Sequence, residues 1–323
     1  MALQVVLILA TLILLWWQPL FEPPAMECGE HPAILYALLC RWFAHLPRLA
    51  VVLAILLILA EGIGLNLLLA DAGLASQNSL LPTLLYILFI SAGTTTLSPI
   101  ILVSGLAILC LHQLLLHGTL LSISTDKICT VTSLIAIATM FYQPAILLLL
   151  TYLLVAANYR LYTARDWALM ILGFLAPYLL LLGILYLTDG ISDWWHTTMV
   201  ALTDIPHLSL TSHNTPFLHL LANIFLIAIF LWGLLGVNLR LTQHPVLWQK
   251  NASTIMLFTV GALGMMLYLP LLPVYIALFT LPFTFCTTRL FIDATATSTF
   301  RKKKHLWAYD ILLLFIIAAT YLC

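Results

Sequence analysis

From Ala2 to Phe21 the chain carries no ionisable side chain, and apolar runs of comparable length recur through to Cys323. About 20 apolar residues in a helix cross about 30 Å of hydrocarbon, so a chain built of such runs has lipid, not water, as its solvent. Only 7% of the residues are charged and 63% are hydrophobic, against about 25% and roughly 45–50% in soluble domains. One soluble core of this size cannot hide that much apolar surface, which excludes a cytosolic enzyme and a disordered chain. The 12 Lys and Arg balance 12 Asp and Glu, leaving no basic surplus for nucleic acid. The expected fold class is all-α, a polytopic transmembrane helix bundle forming one integral membrane domain over 1–323, with membrane lipids as its surroundings.

Eleven spans are expected, at 2–21, 47–70, 79–91, 98–117, 128–142, 144–157, 167–187, 216–238, 253–269, 272–291 and 306–323. The first lacks a basic leader and runs into Glu22-Pro23-Pro24 without a small-residue cleavage pattern, so it reads as an uncleaved span. Residues 79–117 and 253–291 are too long for single crossings, at roughly 58 Å of helix each. Residues 128–157 pass either as one tilted helix or as two short ones around Pro144. Charge decides between them. With every pair split and the N-terminus inside, Lys127, Arg160, Arg165, Arg240, Lys250, Arg289 and Arg301 to Lys304 fall on the cytoplasmic side, leaving only Arg41 and Arg48 outside. Ten basic residues of twelve on one side follows the positive-inside rule. The short members suggest either a bundle with a polar cleft opening outward, around 92–96, or locally thinned lipid.

Two segments then face outward. The first, 22–46, begins with Glu22, Glu27 and Glu30 and continues into an expected interfacial helix with Pro32 at its first position. Ile34, Leu35, Leu38, Leu39, Trp42, Phe43 and Leu46 share its apolar face. The second, 188–215, contains Asp189, Asp193, Trp194, Trp195, His196, Asp204, His207 and His213. Acid with imidazole can hold a divalent metal or move protons, and paired Trp can stack on a sugar; an aromatic belt is the plainer reading. Trp16 and Trp17 are assigned to the outer belt, and Trp167, Trp248 and Trp307 to the inner one. Cys28 and Cys40 can pair only if both face an oxidising compartment; the other cysteines sit in apolar runs with no ligand spacing. The residues name neither a cofactor nor a metal.

Glu61 is the one acid deep in a span, so it should face the bundle and be paired, with Gly62 and Gly64 admitting a neighbouring helix. Glu61 and His112 each lie 14 residues beyond the outer end of their spans, which suggests an intramembrane pair, either a structural tie or a proton-transfer pair. Asp310 lies about one turn from the cytoplasmic boundary. Arg301 to Lys304 reads as an orientation signal meeting anionic headgroups. Asn251-Ala252-Ser253 fits the glycosylation pattern on the wrong side. There is no Walker loop, G-x-S-x-G or H-E-x-x-H.

An inside N-terminus, a carboxylate-bearing first external loop with an interfacial helix, short middle spans and a second external loop after span seven together resemble the GT-C class of membrane glycosyltransferases. Leu81-Pro82-Thr83-Leu84-Leu85-Tyr86, Leu97-Ser98-Pro99, Phe141-Tyr142-Gln143-Pro144, Arg165-Asp166-Trp167-Ala168 and the stretch from Gly173 to Tyr178 are similar to an uncharacterised family of multi-pass inner-membrane proteins from Bacteroidota. The GT-C resemblance implies transfer of a sugar from a polyprenyl-phosphate carrier at the outer face, by an acid of the first loop. This chain departs from that pattern in having only glutamates there and no sizeable external C-terminal domain. On this reading Glu22, Glu27 or Glu30 is the general base or a metal ligand, and Arg41, Arg48, Asp193, Trp194 and His196 bind the lipid-linked substrate. Two alternatives stand beside it: a non-catalytic membrane subunit of an envelope-assembly or export complex with protein partners yet to be named, and a transporter with broken helices near 92–97 and 270–273.

Overall fold

The computed structural model of the chain describes residues 2–26, 28, 32–75, 79–92, 94–115, 125–159, 163–203, 217–266 and 280–296. Among them the fold is all-α. In chain order the helices are α1 (Ala2–Phe21), α2 (Ile34–Phe43), α3 (Pro47–Asp71), α4 (Leu81–Ala92), α5 (Pro99–Leu115) and α6 (Thr125–Phe141). Then follow α7 (Leu147–Asn158), α8 (Ala164–Leu187), α9 (Ile191–Thr203), α10 (Phe217–Arg240), α11 (Val246–Met266) and α12 (Thr280–Ala296). Each of the first ten expected spans overlaps one of these helices; the eleventh, 306–323, with Trp307 and Asp310, lies outside the described residues, as does the cluster 301–304.

Among the described residues three helices are long and apolar enough to cross a membrane: Gln4–Phe21, Pro47–Asp71 and Ala164–Leu187. This is a helical membrane protein. α4 and α7 have 12 residues each, about 18 Å of helix against about 30 Å of hydrocarbon.

Local chemistry sets the ends. α3 stops at Gly73, whose φ of +70° supplies the left-handed turn that lets Leu74 N–H reach back to Leu69 O at 2.8 Å. α8 starts with a reciprocal cap: Asp166 N–H donates to Thr163 Oγ1 at 3.2 Å, and Thr163 N–H donates to Asp166 Oδ2 at 3.3 Å. Arg165-Asp166-Trp167-Ala168 is therefore a helix start. Between α6 and α7, Tyr142 is extended (φ −149°, ψ 108°) and a 3₁₀ turn covers Gln143–Ile146 with Pro144 in it, so the stretch is two helices.

Helix directions follow from paired contacts. Ser133 on α6 bonds Gly173 on α8, 40 residues on, and Thr139 meets Tyr178, 39 residues on; the constant offset makes α6 and α8 parallel, so the chain returns through α7. Gln4–Leu80 and Trp16–Ser91, 76 and 75 residues apart, make α1 and α4 parallel. Glu61–Tyr86 and Gly62–Thr83, 25 and 21 apart, make α3 antiparallel to α4. Phe230–Phe283 and Gly233–Cys286, both 53 apart, align α10 with α12.

α4 sits at the centre, with every residue from Leu85 to Ile90 fully buried; a helix apolar all round belongs inside. α1, α8 and α10 lie outermost, and Val6, Leu180, Leu187 and Leu239 expose 63 to 84% of their surface, as lipid-facing residues do.

Candidate functional site

Glu61 is buried midway along α3. Tyr86 of α4 donates its hydroxyl hydrogen towards Glu61 Oε2 at 2.5 Å. Ser104 of α5 lies 3.2 Å from the same oxygen, 3.1 Å from the Tyr86 hydroxyl and 2.8 Å from Ile101 O. The other carboxyl oxygen lies against Gly105, where a Cβ would collide with it. One floor is completed by Thr83, whose hydroxyl donates to Gly62 O at 3.1 Å. Three helices therefore converge on one carboxyl group. Gly62 admits Thr83 as expected, whereas Gly64 faces open space. The depth count pointed at α5, and α5 supplies Ser104; His112 lies eight residues further along it, about 12 Å up the axis.

A second polar cluster lies where α3 ends. Arg289 of α12 is buried and donates to Leu74 O at 3.4 Å, just past the negative end of α3. Its guanidinium also lies 3.2 Å from His244 Nε2 and 4.8 Å over the Trp248 ring, on which His244 stacks at 4.0 Å. A guanidinium has no acceptor atom, so Arg289 can only donate in this contact. Beside it Asn251 Nδ2 donates to Ala72 O at 3.3 Å, which spends the side chain of the apparent glycosylation site on a helix end.

The two segments expected to face outward are only partly described. Cys28 and Cys40 form a disulfide, joining the start of the first segment to α2. α2 begins at Ile34, two residues beyond Pro32, and turns Tyr36 and Cys40 inward while Leu38, Trp42 and Leu46 stay exposed. Tyr36 donates to Leu97 O at 3.2 Å, so α2 covers the turn between α4 and α5. Glu22, Arg41 and Arg48 are exposed; Glu27 and Glu30 lie outside the described residues. In the second segment, among the described residues, Asp189 takes φ 52° after α8, and α9 carries Asp193, Trp194 and His196, with His196 exposed. Trp194 and Trp195 lie 6.3 Å apart, ring to ring. Asp204, His207 and His213 lie outside the described residues. Among the described residues no three His, Cys, Asp or Glu side chains converge as a metal site.

Two belt assignments need correction. Trp16 is 2% exposed, with its indole N–H on Ser91 Oγ at 2.9 Å, while its neighbour Trp17 is 60% exposed; adjacent helix positions point about 100° apart, and here the first turns towards α4. Trp248 is buried under Arg289. The sequence reading missed Tyr86, Ser104 and Gly105. A hydroxyl and a glycine inside an apolar run carry no pattern of their own, and the available signal was that Glu61 had to be satisfied from neighbouring spans.

Comparison with protein-family models, curated proteins and solved structures returns no match.

Proposed function

We propose that this is a multi-pass protein of the bacterial inner membrane, GT-C-like in architecture, that transfers a sugar from a polyprenyl-phosphate carrier at its outer face. The observation that carries the reading is the Cys28–Cys40 disulfide, because such bonds persist where thiols are oxidised, which is the side that the carboxylate-bearing segment must occupy. The alternating directions of α1, α3 and α4, and the return of the chain between α6 and α8, support spans that run back and forth as expected. On this reading the alternation continues through α5, which puts the end of α8, and α9 behind it, on the same side as the first segment. On this reading one of Glu22, Glu27 and Glu30 takes the proton of an acceptor hydroxyl as its oxygen attacks the anomeric carbon. The polyprenyl phosphate leaves with the bonding pair. Arg41 and Arg48 hold the phosphate, and Asp193, Trp194 and His196 hold the sugar.

The test is release of polyprenyl phosphate from a labelled polyprenyl-phosphoryl sugar by the protein in liposomes. Glu→Gln substitution at 22, 27 or 30 should abolish release at one position at least. Undiminished release by all three variants, or none by the wild type, removes the reading. The transporter alternative has its own support in the buried Glu61 cluster, since ionisable groups at mid-membrane mark proton and ion pathways.

A further inference from the structure

The hydrogens around Glu61 can be counted. Four short contacts link its carboxyl group, Tyr86, Ser104 and Ile101 O. If the carboxyl is neutral, one unbroken relay uses every hydrogen: Glu61 O–H donates to Tyr86, Tyr86 O–H to Ser104, and Ser104 O–H to Ile101 O, over 2.5, 3.1 and 2.8 Å. The chain ends on a carbonyl, which needs no hydrogen of its own. If the carboxyl is ionised, the Tyr86 and Ser104 hydroxyls both turn to Oε2, at 2.5 and 3.2 Å. Rotation of two hydroxyls about their C–O bonds converts one arrangement into the other, with no heavy atom displaced. A buried acid that served only as a tie would need one of these states; this geometry satisfies both.

Apart from Tyr86, the ionisable side chains on the helices packed against α3 lie away from Glu61 along their axes. Tyr86 is the only titratable side chain on α4. α5 brings Cys110 and His112, six and eight residues past Ser104, or about 9 and 12 Å along the axis. α1 has no titratable side chain, and α2 brings Tyr36 and Arg41, beyond the outer end of α3. α3 itself has Arg48 and Asp71, at opposite ends. A carboxylate inside a span is costly without a cation beside it, and the neutral relay avoids that cost.

We infer that Glu61 is a reversible proton-binding site, in which Tyr86 and Ser104 reorient to satisfy the acid before and after it releases its proton. The ligand is the proton itself, and what it governs is the packing of α3, α4 and α5, which converge here on a shared polar group. This inference is independent of the transferase reading, whose residues lie in the outward segments and, for Arg48, in the first turn of α3.

Infrared spectroscopy of the protein in lipid, stepped from acid to alkaline pH, tests it. The difference between wild type and Glu61→Gln should contain a protonated-carboxyl C=O band that falls reversibly as pH rises, with carboxylate bands growing in its place. The loss should correspond to one proton per chain. Tyr86→Phe, which breaks the relay at its first acceptor, should shift both the band and its midpoint. Absence of the band at every pH, or a band that persists unchanged throughout, overturns the inference. If Glu61→Gln does not accumulate, the band is sought through Tyr86→Phe and Ser104→Ala, and a carboxyl spectrum that neither variant moves overturns it equally.

Discussion

Two glycines ten residues apart on α8 should respond to alanine with opposite signs. At Gly173 an added Cβ would meet Cys129 O at 2.6 Å and Cys129 Cα at 2.9 Å, both backbone atoms of α6, whereas at Gly183 nothing lies within 4 Å. Alanine gains about 0.5–1 kcal/mol over glycine in a helix, and at Gly183 that gain should appear unopposed. At Gly173 the two helices must separate, at an overpacking cost of about 1–3 kcal/mol. The bond from Ser133 Oγ to Gly173 O, 2.8 Å long, weakens with it, losing about 0.6 kcal/mol by the average for interhelical bonds in membranes. That carbonyl has no helical partner to fall back on, because Pro177, four residues on, has no N–H. The net expectation is a loss of about 1–3 kcal/mol at Gly173 and a difference of about 2–4 kcal/mol between the variants. Reversible unfolding in mixed micelles, with both variants measured side by side, reads the difference directly. Equal responses would refute the close approach of α6 and α8, and with it the parallel register that requires α7 to run back.

Replacing Arg289 with Met should cost about 2 kcal/mol, the scale of hydrogen bonds to a charged group; Arg289→Lys should recover less than half in a thermal melt, since an ammonium cannot both lie flat on Trp248 and span Leu74 O and His244. Full recovery by lysine would show that charge alone matters there. Cys28 and Cys40 should resist maleimide in denatured protein until a reductant is added, and Cys28→Ser should leave Cys40 reactive without one; two thiols reactive from the start would remove the disulfide.

Helix placement was legible because a bilayer demands long apolar runs whatever the packing, and even the break at Tyr142 and Pro144 could be decided from the side on which basic residues fell. Cys28 and Cys40 were less legible: spacing does not reveal a pair, and whether one forms depends on the compartment. Side-chain partners were less legible. Trp16 and Trp17 look alike in sequence, yet one faces Ser91 and the other lipid. The partner of Glu61 was sought among ionisable groups, but hydroxyls can satisfy a neutral acid, and Tyr86 and Ser104 look like ordinary members of apolar helices. Arg289 was read as a cytoplasmic boundary marker. It lies seven residues inside α12, buried against the end of α3, a position that only the packing of distant spans reveals.

The two outward segments must share the non-cytosolic face for the proposed site to exist. In a background freed of the native cysteines, Glu22→Cys and His196→Cys should both react with a membrane-impermeant thiol reagent in intact spheroplasts, while Arg165→Cys should react only after permeabilisation. Labelling of Glu22→Cys and His196→Cys from opposite sides would contradict the account.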